Sequence, residues 1–260
     1  MSEELKVPTM AEFMAEGKQP DILFWVGSAG SYDDRAKKIT KAFVKILNKA
    51  NVNFAVLGTE ESNTGDVAKR AGNEFLFQMQ AMMNIEVLNT YEVKRIVTCD
   101  PHSFNCLKNE YPSLGGSYDV IHHTQFIQEL IESGKLKVEG QTYKGKRITF
   151  HDPCYLGRAN SVYDSPREVL KKTNANLIEM KRHKSTALCC GAGGAQMFKD
   201  AEPGNKEINV LRTEDALETQ PDIIATGCPY CNTMMTDGIK AKEKEGKVTV
   251  LDVAELIANS

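Results

Sequence analysis

The chain has 260 residues, of which 41% are hydrophobic and 26% are charged, and its formal net charge is -3. These values are typical of a globular protein with a substantial core, and they provide no excess of positive charge for binding nucleic acid. No apolar run approaches the roughly 20 residues that a membrane-spanning helix needs, and the N-terminus lacks the basic-then-apolar pattern of a secretory signal. We therefore expect a cytoplasmic protein with no membrane span of its own and no nucleic-acid partner.

The first half of the sequence alternates predicted strands with predicted helices. Residues 1–20 show no sustained periodicity and are interpreted as an N-terminal extension. Apolar runs predict strands, and apolar residues at helical spacing predict helices. The predicted strands are residues 21–27, 53–57, 95–99 and 118–122, and the predicted helices are residues 36–50, 66–91 and 124–133. This alternation predicts a first lobe, residues 21–134, built on a largely parallel sheet.

The second half repeats this order after a polar segment, residues 134–146, that is rich in lysine and glycine and is interpreted as a linker. A helix is predicted to begin at Ser165, where the sequence Ser-Pro-Arg-Glu offers a capping serine, a first-turn proline and a glutamate three residues after the cap. The predicted strands are residues 147–151, 176–180, 222–226 and 248–252. The second lobe is therefore residues 147–260, and the predicted fold is α/β, with two tandem-duplicated lobes and mainly parallel sheets.

The loops that follow the predicted strands have matching spacing in the two halves. Ser28 and Asn63 are 35 positions apart, as are Cys154 and Cys189, and the next intervals are 36 and 38 positions. The residues compared are Ser28, Asn63, Thr64, Asp100 and Ser103 in the first half and Cys154, Cys189, Cys190, Cys228 and Cys231 in the second. We interpret the chain as a tandem duplication whose first copy lacks all five thiols.

Five of the seven cysteines lie in these loops of the second half. The carboxyl ends of parallel strands meet at one edge of a sheet, so the five thiols are expected to lie together. Soft thiolates favour an iron–sulfur cluster, zinc or Cu(I), but five thiols exceed the four ligands of a structural zinc site. Gly191, Gly193 and Gly194 would let the backbone approach a bulky cluster and point amides at its sulfur. Redox thiols without a metal are a further alternative.

The cysteine arrangement and its duplication resemble the CCG domain found in the cysteine-rich subunit of heterodisulfide reductase and in related iron–sulfur subunits of glycolate and lactate oxidases and of quinone-linked complexes. The resemblance covers about residues 21–256. It implies that Cys154, Cys189, Cys190, Cys228 and Cys231 ligate one [4Fe–4S] cluster of the non-cubane type. It also implies that five residues of the first half occupy positions at which family members with two full motifs have cysteines; these are Ser28, Asn63, Thr64, Asp100 and Ser103. A second cluster is therefore not expected.

The resemblance further implies an electron-transfer subunit of a multi-subunit oxidoreductase. Such a subunit passes electrons between a flavoprotein or dehydrogenase and a further carrier, which can be quinone-linked. Its expected partner is a flavoprotein or a ferredoxin-like iron–sulfur subunit, which would hold it at the periphery of a membrane complex. It would not be self-sufficient as an enzyme, because the sequence has no flavin fingerprint. Two alternatives are a catalytic disulfide or thiol reductase of the heterodisulfide reductase type and a zinc-stabilised interaction module.

Several other residues have both a functional and a structural interpretation. Cys99 and Cys106 are predicted to be small buried hydrophobic residues and not ligands. His151 could deliver a proton, hydrogen-bond a cluster sulfur, or simply satisfy a backbone group at the end of a strand. Four residues at helical spacing predict a packing stripe or a subunit contact; these are Phe75, Met79, Met82 and Met83.

Overall fold

A computed structural model of the protein describes residues 5–200 and 203–260. The chain divides into two compact units between Leu136 and Lys137. Each unit contains a four-stranded sheet in which every strand pair is parallel. The predicted α/β fold with two duplicated parallel sheets is therefore confirmed.

The sheet of the first unit has the strand order β2-β1-β3-β4. Its strands are β1 (Ile22–Trp25), β2 (Phe54–Ala55), β3 (Arg95–Thr98) and β4 (Asp119–His122). Its helices are α1 (Met10–Ala15), α2 (Gly27–Tyr32), α3 (Ala36–Lys49), α4 (Asp66–Arg70), α5 (Glu74–Thr90), α6 (Pro101–Asn105) and α7 (His123–Glu132). All four residues of β1 are buried, as is typical of a parallel strand covered on both faces.

The sheet of the second unit repeats this order as β6-β5-β7-β8. Its strands are β5 (Arg147–Phe150), β6 (Asn176–Leu177), β7 (Ile223–Thr226) and β8 (Thr249–Asp252). Its helices are α8 (Asp164–Lys171), α9 (Ile208–Glu218), α10 (Pro229–Ala241) and α11 (Val253–Ala258). Gly238 lets α10 pack directly on α9, since a Cβ atom at this position would lie only 2.0 Å from Thr213 Oγ1.

The described part of the N-terminal extension, residues 5–20, contains a short helix that the sequence analysis did not predict. Helix α1 begins with a capping box in which the Thr9 hydroxyl accepts from Glu12 N and the Glu12 carboxylate accepts from Thr9 N. Thr9 also forms a parallel bridge with Val56. Six residues are too few to show helical periodicity, so only the capping pattern could have indicated this helix.

The long helix predicted over residues 66–91 is wrong, because the structure has two helices there. Gly72 adopts a φ of +86° between α4 and α5, a conformation that ends a helix and that a residue with a Cβ atom rarely adopts. Asn73 then starts α5 by accepting a hydrogen bond from Leu76 N at 3.1 Å. Gly-Asn is therefore a helix boundary at this point.

One predicted helix start and one predicted loop also differ from the structure. Helix α8 begins at Asp164 with Tyr163 as its cap, and no side chain caps it, so Ser165 lies inside the first turn. Pro166 also lies in this first turn, where its missing N–H costs no intrahelical hydrogen bond. In the first unit, the segment around Ser28 was expected to be a loop but forms helix α2.

Helix α5 has apolar residues on both its buried side and its exposed side. Phe77, Ala81 and Leu88 are buried. The four residues predicted as a stripe, Phe75, Met79, Met82 and Met83, are between 46% and 75% exposed. They do not form an internal packing stripe. Among the described residues, no helix is long and apolar enough to span a membrane.

Candidate metal centre

Two loops and the start of helix α10 carry the five cysteines at the carboxyl edge of the second sheet. Cys154 lies in the turns that follow β5, and Cys189 and Cys190 lie in the irregular segment that follows β6. Cys228 caps helix α10 directly after β7, and Cys231 lies in the first turn of that helix. Residues 35 or more positions apart are thereby brought to one edge, as the parallel topology requires.

The five thiols contact one another and form no disulfide. The Cys190 and Cys231 Sγ atoms are 3.3 Å apart, well beyond the roughly 2.05 Å of a disulfide bond. The thiol of Cys154 interacts with that of Cys189. The backbone N–H of Cys231 donates to Cys228 Sγ at 3.5 Å. The structure thus gathers all five predicted ligands into one buried or half-buried group.

The pKa values of Cys154, Cys189 and Cys190 separate strongly. Hydrogen bonds from Cys154 and Cys190, together with the N–H of Gly191, hold the pKa of Cys189 far below its usual range. The same contacts with Cys189 raise the pKa of Cys154 and of Cys190, and burial adds to both effects. Cys189 is therefore the first of these three thiols to ionise. Removing the protons of its neighbours would place further negative charge in a buried space, which requires a cation.

A glycine-rich segment follows the adjacent cysteines. Gly191 has a φ of +91° and donates its N–H to Cys189 Sγ at 3.3 Å. Gly194 has a φ of +69°, and the carbonyl of Gly193 accepts from Gln196 N at 3.4 Å. Positive φ at two of the three positions explains why glycine occurs there. A cofactor-binding role for the three glycines stays a prediction.

His151 lies beside the thiols and is fully buried. A ring nitrogen of His151 and the Sγ atoms of Cys190 and Cys231 all lie within 4.8 Å of one another. Its Nδ1 atom accepts a hydrogen bond from Arg212 Nε at 3.0 Å. Burial and the positive charge of Arg212 lower the pKa of His151 to about 3. Sequence analysis missed Arg212, because an arginine within a helix normally indicates a solvent-exposed face.

A buried ion pair joins the loop of Cys154 to the loop of Cys189. The Asp152 carboxylate accepts two hydrogen bonds from Arg167, at 2.8 and 3.0 Å, and one from Lys184 N at 2.8 Å. Arg167 also donates to Glu179 at 2.6 and 2.9 Å. Burial alone would raise the pKa of Asp152, but the Arg167 guanidinium holds it below its usual range. Sequence analysis did not identify this pair, whose members are 15 positions apart.

The matching edge of the first unit is closed by hydrogen bonds between polar side chains. Asn63 Nδ2 donates to Ser28 Oγ at 3.1 Å, across the same 35-residue interval that separates Cys154 and Cys189. Ser103 Oγ donates to Asp100 Oδ2 at 2.8 Å. Thr64, which follows Asn63 in the sequence, is buried. The residues at the five thiol positions of this copy are thus linked to one another or buried.

Glu61 and Cys106 were not predicted to lie in special environments. The Glu61 carboxylate accepts from Val26 N at 2.9 Å and Gly27 N at 2.6 Å, and burial raises its pKa to about 7. Cys99 and Cys106 are buried, as predicted. Cys106 Sγ lies 3.3 Å from the Glu110 carboxylate, so burial and nearby acids raise its pKa. Cys106 is therefore buried as predicted, but it lies next to a carboxylate that the sequence analysis did not identify.

Fold and site together define a duplicated parallel α/β protein with one thiol-rich edge. The family model of the CCG cysteine-rich domain matches residues 22–108 and 148–236. These two matches cover more than half of the chain, which therefore belongs to the CCG cysteine-rich domain family and contains two copies of the domain. The predicted family is thereby confirmed.

Three curated relatives extend the comparison. The chain is 52% identical over 258 residues to a probable iron-sulfur-binding oxidoreductase FadF of Bacillus subtilis, covering 99% of this chain and 36% of the relative. It is 44% identical over 262 residues to an EtfAB:quinone oxidoreductase of Syntrophomonas wolfei, covering 98% and 36%. It is 34% identical over 251 residues to a subunit of the dihydromethanophenazine:CoB–CoM heterodisulfide reductase of Methanosarcina barkeri, covering 92% and 59%. The chain spans about a third of the length of the first two relatives.

Proposed function

We propose that this chain holds one iron–sulfur cluster in its second unit and passes electrons within a multi-subunit oxidoreductase. The observation that carries the proposal is the group of five free thiols, brought to one sheet edge by two loops and the start of helix α10. Isolated thiols at these spacings would have many explanations. Five in mutual contact, without a disulfide, are the soft donor set that an iron–sulfur cluster needs.

The donor set fits such a cluster in charge and in number. Cys190 and Cys231 are almost fully buried and resist ionisation as free thiols, so a multiply charged metal group would supply the missing positive charge. Five thiols exceed the four of a structural zinc site. We propose Cys154, Cys189, Cys190, Cys228 and Cys231 as ligands of one [4Fe–4S] cluster of the non-cubane type. When bound, the cluster supplies one-electron chemistry; the protein positions it and excludes water.

Partner subunits are part of the proposal. Two relatives are named as oxidoreductases, one of them an EtfAB:quinone oxidoreductase, and this chain matches 36% of the length of each. We propose that the donor is a flavoprotein or a ferredoxin-like iron–sulfur subunit, and that electrons continue to a further carrier, which can be a quinone. In this scheme the partners hold the chain at the periphery of a membrane complex.

Similarity to part of a heterodisulfide reductase favours disulfide reduction as a second candidate. The first copy of the domain argues against a mechanism with two clusters in this chain, because Ser28, Asn63 and Asp100 are hydroxyl, amide and carboxylate residues at thiol positions. Disulfide turnover by the isolated chain would favour this second candidate.

The anaerobically purified chain is expected to be reduced and reoxidised reversibly. Its visible absorbance and its EPR spectrum should change together, with the slope of a one-electron couple, at a potential between about −700 and +450 mV. A spectroelectrochemical titration monitored at both ends by EPR provides the measurement. A colourless chain, or a spectrum that stays constant over this range, contradicts electron transfer.

A further inference from the structure

A chain of hydrogen bonds runs from Arg182 through Asp215 and Arg212 to His151, which lies beside the thiols of the second unit. Asp215 pairs with Arg182, at 2.8 and 2.5 Å, and accepts from Arg212 Nη1 at 3.2 Å. The Arg212 side chain is 0% exposed, and its Nε atom donates to His151 Nδ1 at 3.0 Å. His151 and Arg212 are 61 positions apart in the sequence. Helix α9 thus presents a fixed donor to the histidine at the end of β5.

This contact determines which nitrogen of His151 carries the proton. Every polar hydrogen of a guanidinium is a donor, and arginine keeps its charge in proteins. The Nδ1 atom that faces Arg212 Nε must therefore offer a lone pair, and the proton of the neutral ring lies on Nε2. His151 Nε2 is buried and has no hydrogen-bond partner among the described residues. A buried N–H without an acceptor costs free energy, so an acceptor is expected at this position.

We expect this acceptor on the side of the ring that faces the thiols. Cys190 and Cys231 are the groups whose ligand atoms cluster with a ring nitrogen of His151 within 4.8 Å. We propose that His151 donates its Nε2–H to a sulfur of the bound cluster and does not ligate iron, and that Arg212 is the positioning residue that fixes this tautomer. The inference rests on the proposed function. Ligation through Nε2 would move the proton to Nδ1, where it would face the Nε–H of Arg212.

The proposed hydrogen bond has an electronic consequence. A donor to sulfur withdraws negative charge from the cluster and therefore stabilises the reduced form more than the oxidised form. His151→Leu removes the donor, whereas the side-chain amide of His151→Gln can still donate from a similar position. We expect His151→Leu to keep its iron and sulfide and to lower the reduction equilibrium constant about tenfold, which is about 59 mV for one electron. His151→Gln should retain most of the wild-type potential.

Magnetic spectroscopy separates donation from ligation. With ¹⁵N-labelled histidine, electron–nuclear double resonance of the EPR-active state should show a weak nitrogen coupling and an exchangeable proton coupling. Both should disappear in His151→Leu. A strong, ligand-like nitrogen coupling, or an unchanged potential in a cluster-containing His151→Leu protein, overturns the inference. Absence of iron and sulfide from the wild-type chain instead overturns the proposed function, so the two failures are distinguishable.

The role of Arg212 is tested by a double-mutant cycle. Arg212→Met removes the donor to Nδ1, and its potential shift should vanish when His151→Leu is already present, because Arg212 acts through the histidine. Asp215 keeps Arg182 as a partner in this variant, and circular dichroism checks the fold. An equal shift in both backgrounds means that Arg212 acts by its charge alone and contradicts its assignment as the positioning residue.

Discussion

Cys190→Ser is expected to remove most of the iron and sulfide from the purified chain. Cys190 is 3% exposed and contacts the thiols of Cys189 and Cys231. Serine has a similar size but offers a hard hydroxyl where a soft thiolate is required, so the cluster loses a ligand while the local packing is retained. Cys189→Ser should behave in the same way or change the EPR spectrum of the cluster that remains. Iron and acid-labile sulfide assays, with circular dichroism as a folding check, measure the effect.

The first copy of the domain supplies matched controls for these variants. Asn63 and Thr64 are the first-copy counterparts of Cys189 and Cys190. The side chain of Asn63 is hydrogen-bonded to the hydroxyl of Ser28. Asn63→Ala and Thr64→Ala should therefore leave iron and sulfide at the wild-type level. If either control loses as much iron as Cys190→Ser, the first copy holds part of the metal and the assignment of one cluster to the second unit is wrong.

Arg167→Met is expected to destabilise the chain by about 3–5 kcal/mol at neutral pH. The side chains of Arg167 and Asp152 are 6% and 3% exposed, so the substitution leaves a carboxylate buried without its cation. It also removes the bridge that Arg167 forms between Asp152 and Glu179, while the hydrogen bond from Lys184 N to Asp152 remains. Urea unfolding under anaerobic conditions, monitored by circular dichroism, measures the difference. Lys171→Met, on the exposed side of the same helix, should change stability little.

The effect of Arg167→Met should depend on pH in a defined direction. Arg167 lowers the folded-state pKa of Asp152, so this pair adds stability above the unfolded pKa of about 3.9 and loses that stability as the pH falls through the folded pKa. In the variant, burial raises the folded-state pKa of Asp152, and protonation then relieves the unpaired charge. The stability difference between wild type and variant should begin to shrink above about pH 4, as the pH falls through the raised pKa of Asp152 in the variant, and should go on shrinking until the pH passes below the lowered pKa of the wild type. A difference that stays constant as the pH is lowered from neutral through this range means that the loss is one of packing alone.

The sheet cores and the thiol group could be predicted because their signals are local. Short apolar runs such as residues 22–25 indicate buried parallel strands, and each cysteine follows such a run directly or in the next loop. The alternation of strands with helices then predicts a parallel sheet, and a parallel sheet brings the loops after its strands to one edge. Matching intervals between the two halves indicated the duplication. In the structure, the contact between Asn63 and Ser28 corresponds to the contact between Cys189 and Cys154.

Buried polar partners could not be predicted because their environment is set by distant segments. Arg212 is a charged helix residue of the kind that usually faces solvent, but the fold buries it and brings it to His151, 61 positions earlier in the sequence. Glu61 likewise satisfies two backbone N–H groups that lie 34 and 35 positions earlier. The boundary at Gly72 had a local signal, since Gly-Asn is a common helix end and start, but the apolar periodicity on both sides masked it.

Metal and sulfide analysis of the anaerobically purified wild-type chain tests the central claim most directly. The proposed [4Fe–4S] cluster predicts roughly four iron atoms and four acid-labile sulfides per chain, with zinc below stoichiometry. The same preparation should be brown. Stoichiometric zinc without sulfide, or iron without sulfide, would contradict the cluster and would favour a zinc-stabilised interaction module or a simple thiolate metal site in its place.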